Sequence, residues 1–446
     1  MAGCQFGDQR LKPRATTVVG QIFGKIGESI PAACQDCANA KAAYRFFDND
    51  SVSEAHILSG HFQATQERIA ASDVPVLYLH DTTEHCFKRE AGVMGRDGKR
   101  NKITVRRILM HSSMAITQDG QPLGVAAIKL WERDEAQQRG KKKPSPGNVP
   151  IEEKKSYRWL ENLRQATARS SDPAACVHIG DRESDIYELF SLADELRTHF
   201  LVRSSSERLT ERAGVTISEE MENAPVNGVH AIQFQDRNGA KHQAILEIKF
   251  REIEVPPPKT KQSRYSPLVL TAIYAVEKDA PEGREPIVWK LLTSLPVKTL
   301  AQAIEKLNWY AMRWKIEVFH KVLKSGCRTE ESELRTTDRL TNFIAICCIV
   351  AWRVFWLTMI RRTAPDAPAS VALTDTEQTL LDRLFPDPSS RNTRGTVSDY
   401  ILKIAKLGGY LARAKDRPPG NQVIWRGLRR LADIEIGFLA ALKTCG

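Results

Sequence analysis

Residues 308–324 bring a phenol (Tyr310), a guanidinium (Arg313), a carboxylate (Glu317) and an ammonium (Lys324) into one segment. Its composition favours a helix, and nothing interrupts it before Ser325-Gly326, a plausible C-terminal stop. At about 100° per residue, those four side chains fall at roughly 0°, 300°, 340° and 320°. Met312, Ile316, Phe319 and Leu323 fall at roughly 180–240° and form an apolar stripe beside them. An acid embedded among phosphate-binding groups points to metal-assisted chemistry on a phosphodiester. A solvated helix face has the same composition, so the rest of the chain must decide.

Two further acids help decide it. Asp81 follows the apolar run Val76 to His80, and Asp181 follows Cys176 to Gly180. Each therefore stands where a strand would deliver a side chain at the carboxyl end of a sheet. Either aspartate alone reads as a loop cap, but three acids in such settings form a donor set. Hard oxygen donors suit Mg²⁺ or Mn²⁺. Two such ions would activate a water or a 3′-hydroxyl and stabilise the leaving oxygen of an in-line displacement.

Several elements must position these acids. Strands are expected at Val76 to His80, Thr104 to His111, Val125 to Trp131, Cys176 to Gly180 and His199 to Arg203. A helix is expected around Glu152 to Ala168. Three strands, a helix and more strands make an α/β nuclease-type sheet. Residues 204–297 hold short β-type runs and Pro256-Pro257-Pro258, and read as a β-rich insertion. Residues 1–70 look helical, with Ser29-Ile30-Pro31 opening a helix toward Phe47 and Ser51 to Glu54 read as a capping box. With Arg10, Lys12, Arg14 and Lys25 nearby, they suit a small DNA-binding module, though a bare helical dimerisation cap would look similar. Thr299 to Gln302 reads as a second capping box, leading into the segment around residue 310. Residues 371–446 return to helical periodicity after a Pro/Ala/Asp linker at 363–370, so 71–365 is taken as the sheet domain and 366–446 as a helical one. Arg96 to Lys102 reads as a basic turn and Lys141 to Pro150 as a loop.

Composition sets the outer limits. A chain of 446 residues implies two or three domains, and 42% apolar residues are ample for their cores. A net charge of +11 favours a polyanionic partner, with nucleic acid the first candidate. The N-terminal residues lack the apolar stretch of a secretory signal, and no apolar run of membrane length is expected. The nine cysteines have no disulfide rhythm, and Cys34-Gln35-Asp36-Cys37 has no second ligand pair nearby. Cys347-Cys348 reads as core.

These residues carry a family resemblance. Tyr310-x-x-Arg313-x-x-x-Glu317 followed by Lys324 is similar to the Y-R-E-K motif of the cut-and-paste DDE transposases of the IS-four group. Asp81-Thr82-Thr83 resembles that group's first-acid motif, and Asp181-Arg182-Glu183-Ser184-Asp185 its second. Gly7-Asp8-x-Arg10-Leu11, Ala40 to Phe47, Trp289 to Ser294 and Ala405 to Gly409 also look like family landmarks, so the resemblance spans most of the chain. Glu84-His85-Cys86 departs from it, being more charged than is usual after the first acid.

The resemblance implies a ribonuclease-H-like catalytic domain with a β-rich insertion, flanked by helical N-terminal and C-terminal domains. It implies that Asp81, Asp181 and Glu317 bind two Mg²⁺ ions, with Mn²⁺ able to substitute. Tyr310, Arg313 and Lys324 would hold a terminal phosphate, in keeping with the fork of Arg and the point charge of Lys. Trp289 would stack on a base flipped from the duplex end, although a core tryptophan would occupy a strand equally well. Arg203 would contact DNA or make a structural salt bridge. The implied partners are inverted-repeat transposon ends, target DNA and a second copy of the chain in a synaptic dimer, with no membrane. Residues 366–446 would supply the dimer contacts, and the setting would be the cytoplasm of a bacterium, at the nucleoid when DNA is bound. A nuclease or an immobile DNA-binding regulator derived from such a transposase is the alternative.

Overall fold

The computed structural model describes residues 3–72, 75–90, 103–132, 151–212, 214–235, 241–386 and 395–444. The basic turn at 96–102 and the loop at 141–150 lie outside them. Four helices come first: α1 (Leu11–Gly24), α2 (Ile30–Cys34), α3 (Cys37–Phe47) and α4 (Glu54–Ala70). The helix expected from Ser29 to Phe47 is two helices. Gln35 adopts a left-handed conformation and Asp36 caps the second one through the Asn39 amide. Cys34 is buried on one side of this break while Cys37 is exposed on the other. The cap of α4 is Ser53, whose hydroxyl accepts from the His56 amide, and not the expected Ser51.

Strands β1 (Val76–Glu90), β2 (Ile103–Ile116) and β3 (Pro122–Glu132) precede α5 (Tyr157–Thr167), β4 (Cys176–Gly180), α6 (Tyr187–Glu195) and β5 (His199–Arg203). After α7 (Ile217–Glu222) come β6 (Gly228–Gln235), β7 (Lys241–Val255), β8 (Leu268–Lys278) and β9 (Val288–Thr293). All nine strands form one mixed sheet in the order β3-β2-β1-β4-β5-β9-β8-β7-β6. Among the described strands only the β1–β4 and β4–β5 pairs are parallel, and every residue of β4 is buried, as a central parallel strand requires. The β-type runs of 204–297 extend this same sheet, because β9 pairs with β5.

Helices α8 (Leu300–Ala311), α9 (Trp314–Lys321), α10 (Thr337–Thr363), α11 (Asp375–Leu384), α12 (Val397–Leu407) and α13 (Asn421–Thr444) complete the chain. Helix α10 is long and apolar enough to cross a membrane, contrary to the expected absence of such a run, but 83% of its most apolar stretch is buried inside the protein. Leu340, Ile344, Cys347, Ala351 and Phe355 are fully buried along it. It acts as the central pillar on which α1, α3, α4, α9, α12 and α13 pack. One cluster of buried apolar residues accordingly runs from Leu11 to Leu431. Two ion pairs, Lys25 with Asp433 (2.6 Å) and Glu28 with Arg429 (2.7 Å), also tie the N-terminal helices to α13.

Four histidines lie in the interior. His80, His85, His111 and His178 are at most 3% exposed. Burial pushes His80 and His85 down to about 3 and His111 and His178 well below the ordinary imidazole range. They are neutral when folded, whereas the unfolded chain takes up protons below about pH 6.5. Stability is therefore complete above that pH and is lost as the pH falls toward 3, by up to about 1.4 kcal/mol per pH unit for each histidine. Thermal denaturation should show a steep fall in Tm between pH 6.5 and 5. A flat Tm across that interval would refute this account.

Candidate active site

The parallel pairing of β1 with β4 sets Leu79 opposite Ile179. Asp81 and Asp181 each lie two residues further on, so the two carboxylates reach the same end of the sheet on adjacent strands. Alternation along a strand also gives them the face of Leu79 and Ile179, which is packed beneath Ile316 and Phe319 of α9. His80 and His178 take the opposite face, sharing a 2.8 Å hydrogen bond beside Trp159 of α5. Gly180 belongs to that crowded side, where an added Cβ would collide with Ser184 and the Trp159 ring.

The local structure differs from expectation in two places. β1 continues to Glu90 because antiparallel β2 goes on pairing with it after β4 has ended, so Asp81 is within a strand and not at its end. The expected unbroken helix at 308–324 is divided at Met312-Arg313, and its last turn, Val322–Gly326, is π-helical. The division coincides with a long-range anchor: Lys315, 8% exposed, donates to the Gly120 carbonyl at 2.6 Å in the β2–β3 turn.

Arg313 is the hub of the site. Its guanidinium bonds the Glu317 carboxylate and stands 3.8 Å from Asp81 Oδ1. Burial opposes the charge on Arg313, but the carboxylates of Glu317 and Asp81 outweigh it and raise its pKa. The Asp181 carboxyl is pushed upward, first by burial and also by Glu183 and Asp81, against the Glu183 amide bond and Arg313. Its Oδ1 accepts from the Glu183 amide at 2.9 Å, capping the turn that follows β4. Asp81 and Glu317 thus contact one cation, whose field also reaches Asp181.

Tyr310 is buried, which raises its phenol, while Arg313 and Arg203 act in the opposite direction. The Trp289 ring meets Tyr310 edge-on with centroids 5.9 Å apart. Trp289 also lines a cavity of about 1030 Å³ together with Phe234, Ile287, Leu307 and Trp314. Arg203 donates to the Val288 carbonyl at 3.1 Å, a backbone brace between β5 and β9. Lys324 is turned elsewhere: it donates to the Glu84 carbonyl at 2.8 Å and stands 3.4 Å from Glu330. The divergent Glu84-His85-Cys86 segment holds that same 329–331 turn, through His85 to Thr329 and the Cys86 amide to Glu330.

Two residues around the acids carried no signal of their own in the sequence. Arg158 of α5 donates to Thr82 at 3.2 Å and pairs with Glu183, linking the two acid-bearing segments. His320 lies 3.5 Å from Asp81 Oδ2, and its other ring nitrogen is 2.7 Å from Ser112 Oγ. The spacing Glu317-x-x-His320 puts both side chains on neighbouring turns of one helix, and only a known position for Asp81 would have given that spacing meaning.

Among the described residues, no three acidic, imidazole or thiol groups converge closely enough to hold a metal ion as they stand. The donor set nonetheless fits a hard divalent cation. It offers carboxylate oxygens, two of the three acids already holding a positive charge between them.

Comparison with known families agrees with this chemistry. Residues 1–52 match the family described as transposase DNA-binding, and residues 157–353 match the transposase DDE domain. The second match includes Asp181 and Glu317, while Asp81 lies before it. A transposase DNA-binding segment followed by a transposase DDE domain supports placing the chain among the DDE transposases, enzymes that act on DNA.

Proposed function

We propose that the chain is a cut-and-paste transposase of the IS-four group, with Asp81, Asp181 and Glu317 as its metal-binding acids. The observation that carries this reading is the placement of Asp81 and Asp181 at matching positions beyond the Leu79–Ile179 pair of two parallel strands, with Glu317 facing Asp81 across Arg313. DDE domains generally use divalent metal ions, and Mg²⁺, with Mn²⁺ as substitute, is the ion the three carboxylates would hold. When bound, it supplies Lewis acidity to the attacking and departing oxygens.

The chain's own residues supply the remainder. Arg313, now paired with the acids, would turn its fork to a DNA phosphate when metal takes its place. Tyr310 and Lys324 would flank the same phosphate, Lys324 after leaving Glu84 and Glu330. Trp289, beside its cavity, would receive a base displaced from the duplex end, offsetting the cost of unstacking. Arg203 would touch the backbone nearby. In this reading water attack nicks the transposon end, the freed 3′-hydroxyl closes a hairpin on the opposite strand, a second water reopens it, and the end joins target DNA.

The catalytic region corresponds to 71–365 as a ribonuclease-H-like domain with a β-rich insertion at 204–297. Residues 1–70 would bind the inverted-repeat ends, and 366–446 would support a homodimer acting at a bacterial nucleoid. The decisive experiment incubates the purified chain and Mg²⁺ with duplexes carrying the inverted repeats that flank its coding sequence. Hairpin-ended products at the repeat boundary are expected. Specific binding without cleavage would favour the immobile regulator, and cleavage without hairpins or joining would favour a nuclease.

A further inference from the structure

Asp81 is held differently at its two oxygens. Oδ1 faces Arg313, whereas Oδ2 lies 3.5 Å from Nδ1 of His320, a residue only 5% exposed. The other ring nitrogen of His320 is 2.7 Å from Ser112 Oγ. Ser112 is directly opposite Asp81 in the β1–β2 ladder and is fully buried. An Asp-His-Ser sequence of contacts would recommend a hydrolase, but no substrate can reach a serine that has no exposed surface. The arrangement has another use. Ser112 can donate to Nε2 and so leave the proton on Nδ1, the ring nitrogen nearer the carboxylate.

A carboxylate free to turn about its own axis is a poor metal ligand, and a hydrogen bond on its outer oxygen fixes its orientation. We propose that His320 is a positioning residue which, braced by Ser112, holds Asp81 with Oδ1 directed into the site. Because His320 follows Glu317 by three residues on α9, the helix that carries one acid also sets the orientation of another. This inference rests on the reading of Asp81 and Glu317 as metal-binding acids.

The test uses the full chain without DNA and measures Mn²⁺ affinity by calorimetry, alongside thermal melts of every variant. H320A should raise the Mn²⁺ Kd by about 10–100-fold. Asn at this position can offer an N–H close to where Nδ1 stands, whereas Gln reaches only toward Ser112. H320N should therefore recover much of the affinity and H320Q little of it. An H320A Kd within about twofold of the parent, while D81N loses binding, overturns the positioning role. If H320A does not fold, equal affinities for H320N and H320Q overturn it instead. If D81N binds Mn²⁺ like the parent, the acid reading itself fails, and the role of His320 fails with it.

Discussion

Glu317→Gln is expected to lower cleavage of cognate ends by at least about 10³-fold while leaving the binding of those ends intact. The metal contributes several kcal/mol to stabilising charge in the transition state, and each 1.4 kcal/mol or so is tenfold in rate. The amide keeps the size and the Arg313 contact of the original but loses the charge that a hard cation needs. Removing a negative charge from a face proposed to meet phosphates should also not weaken DNA binding. Single-turnover cleavage and a mobility-shift titration measure the two quantities separately. Retained cleavage would remove Glu317 from the site, and a matching loss of binding would make it a DNA-binding residue and not a catalytic one. Asp81→Asn and Asp181→Asn should behave in the same way.

The second large effect concerns stability. Asp185 ends the segment that resembles the second-acid motif, yet its side chain has no exposed surface. It accepts from the Ser205 and Ser206 amides at 2.7 and 2.8 Å and from Arg208 at 2.6 Å. Asp185→Ala would leave the Arg208 guanidinium, itself 10% exposed, buried without its counter-charge and with only the Asp185 backbone carbonyl still accepting from it at 2.8 Å. Breaking such a pair from one side costs about 3–5 kcal/mol. Chemical denaturation should register most of that loss. Replacing Arg208 by Met in the same variant should restore part of it, since no uncompensated charge then remains. A loss below about 1 kcal/mol for Asp185→Ala would contradict the interior role assigned here.

Asp181 and Asp185 share one short segment and have unlike surroundings, and this shows where reading from sequence stops. β4 and β5 were legible with their ends because both are short runs, apolar for the most part and closed by a polar residue. β1 was read ten residues too short: Asp81 to Glu84 is polar enough to resemble a loop, and only its pairing with β2 keeps it extended. The break at Met312-Arg313 contains neither Gly nor Pro, and the Lys315–Gly120 anchor beside it joins residues 195 apart in the chain.

The types of the candidate residues and their spacing along the chain were determined by the sequence alone: an acid after each of two apolar strands, and a third within the Tyr310 to Lys324 pattern. Tertiary structure decided how they combine. The β1–β4 register set Asp81 and Asp181 at neighbouring positions, and Arg313 joined Asp81 to Glu317. Lys324 was left apart from them, held at Glu84 and Glu330. Local sequence encodes which backbone form a segment prefers. Register, burial and ion pairing depend on distant segments meeting, so the contact between Asp81 and His320 existed only once α9 lay across β1.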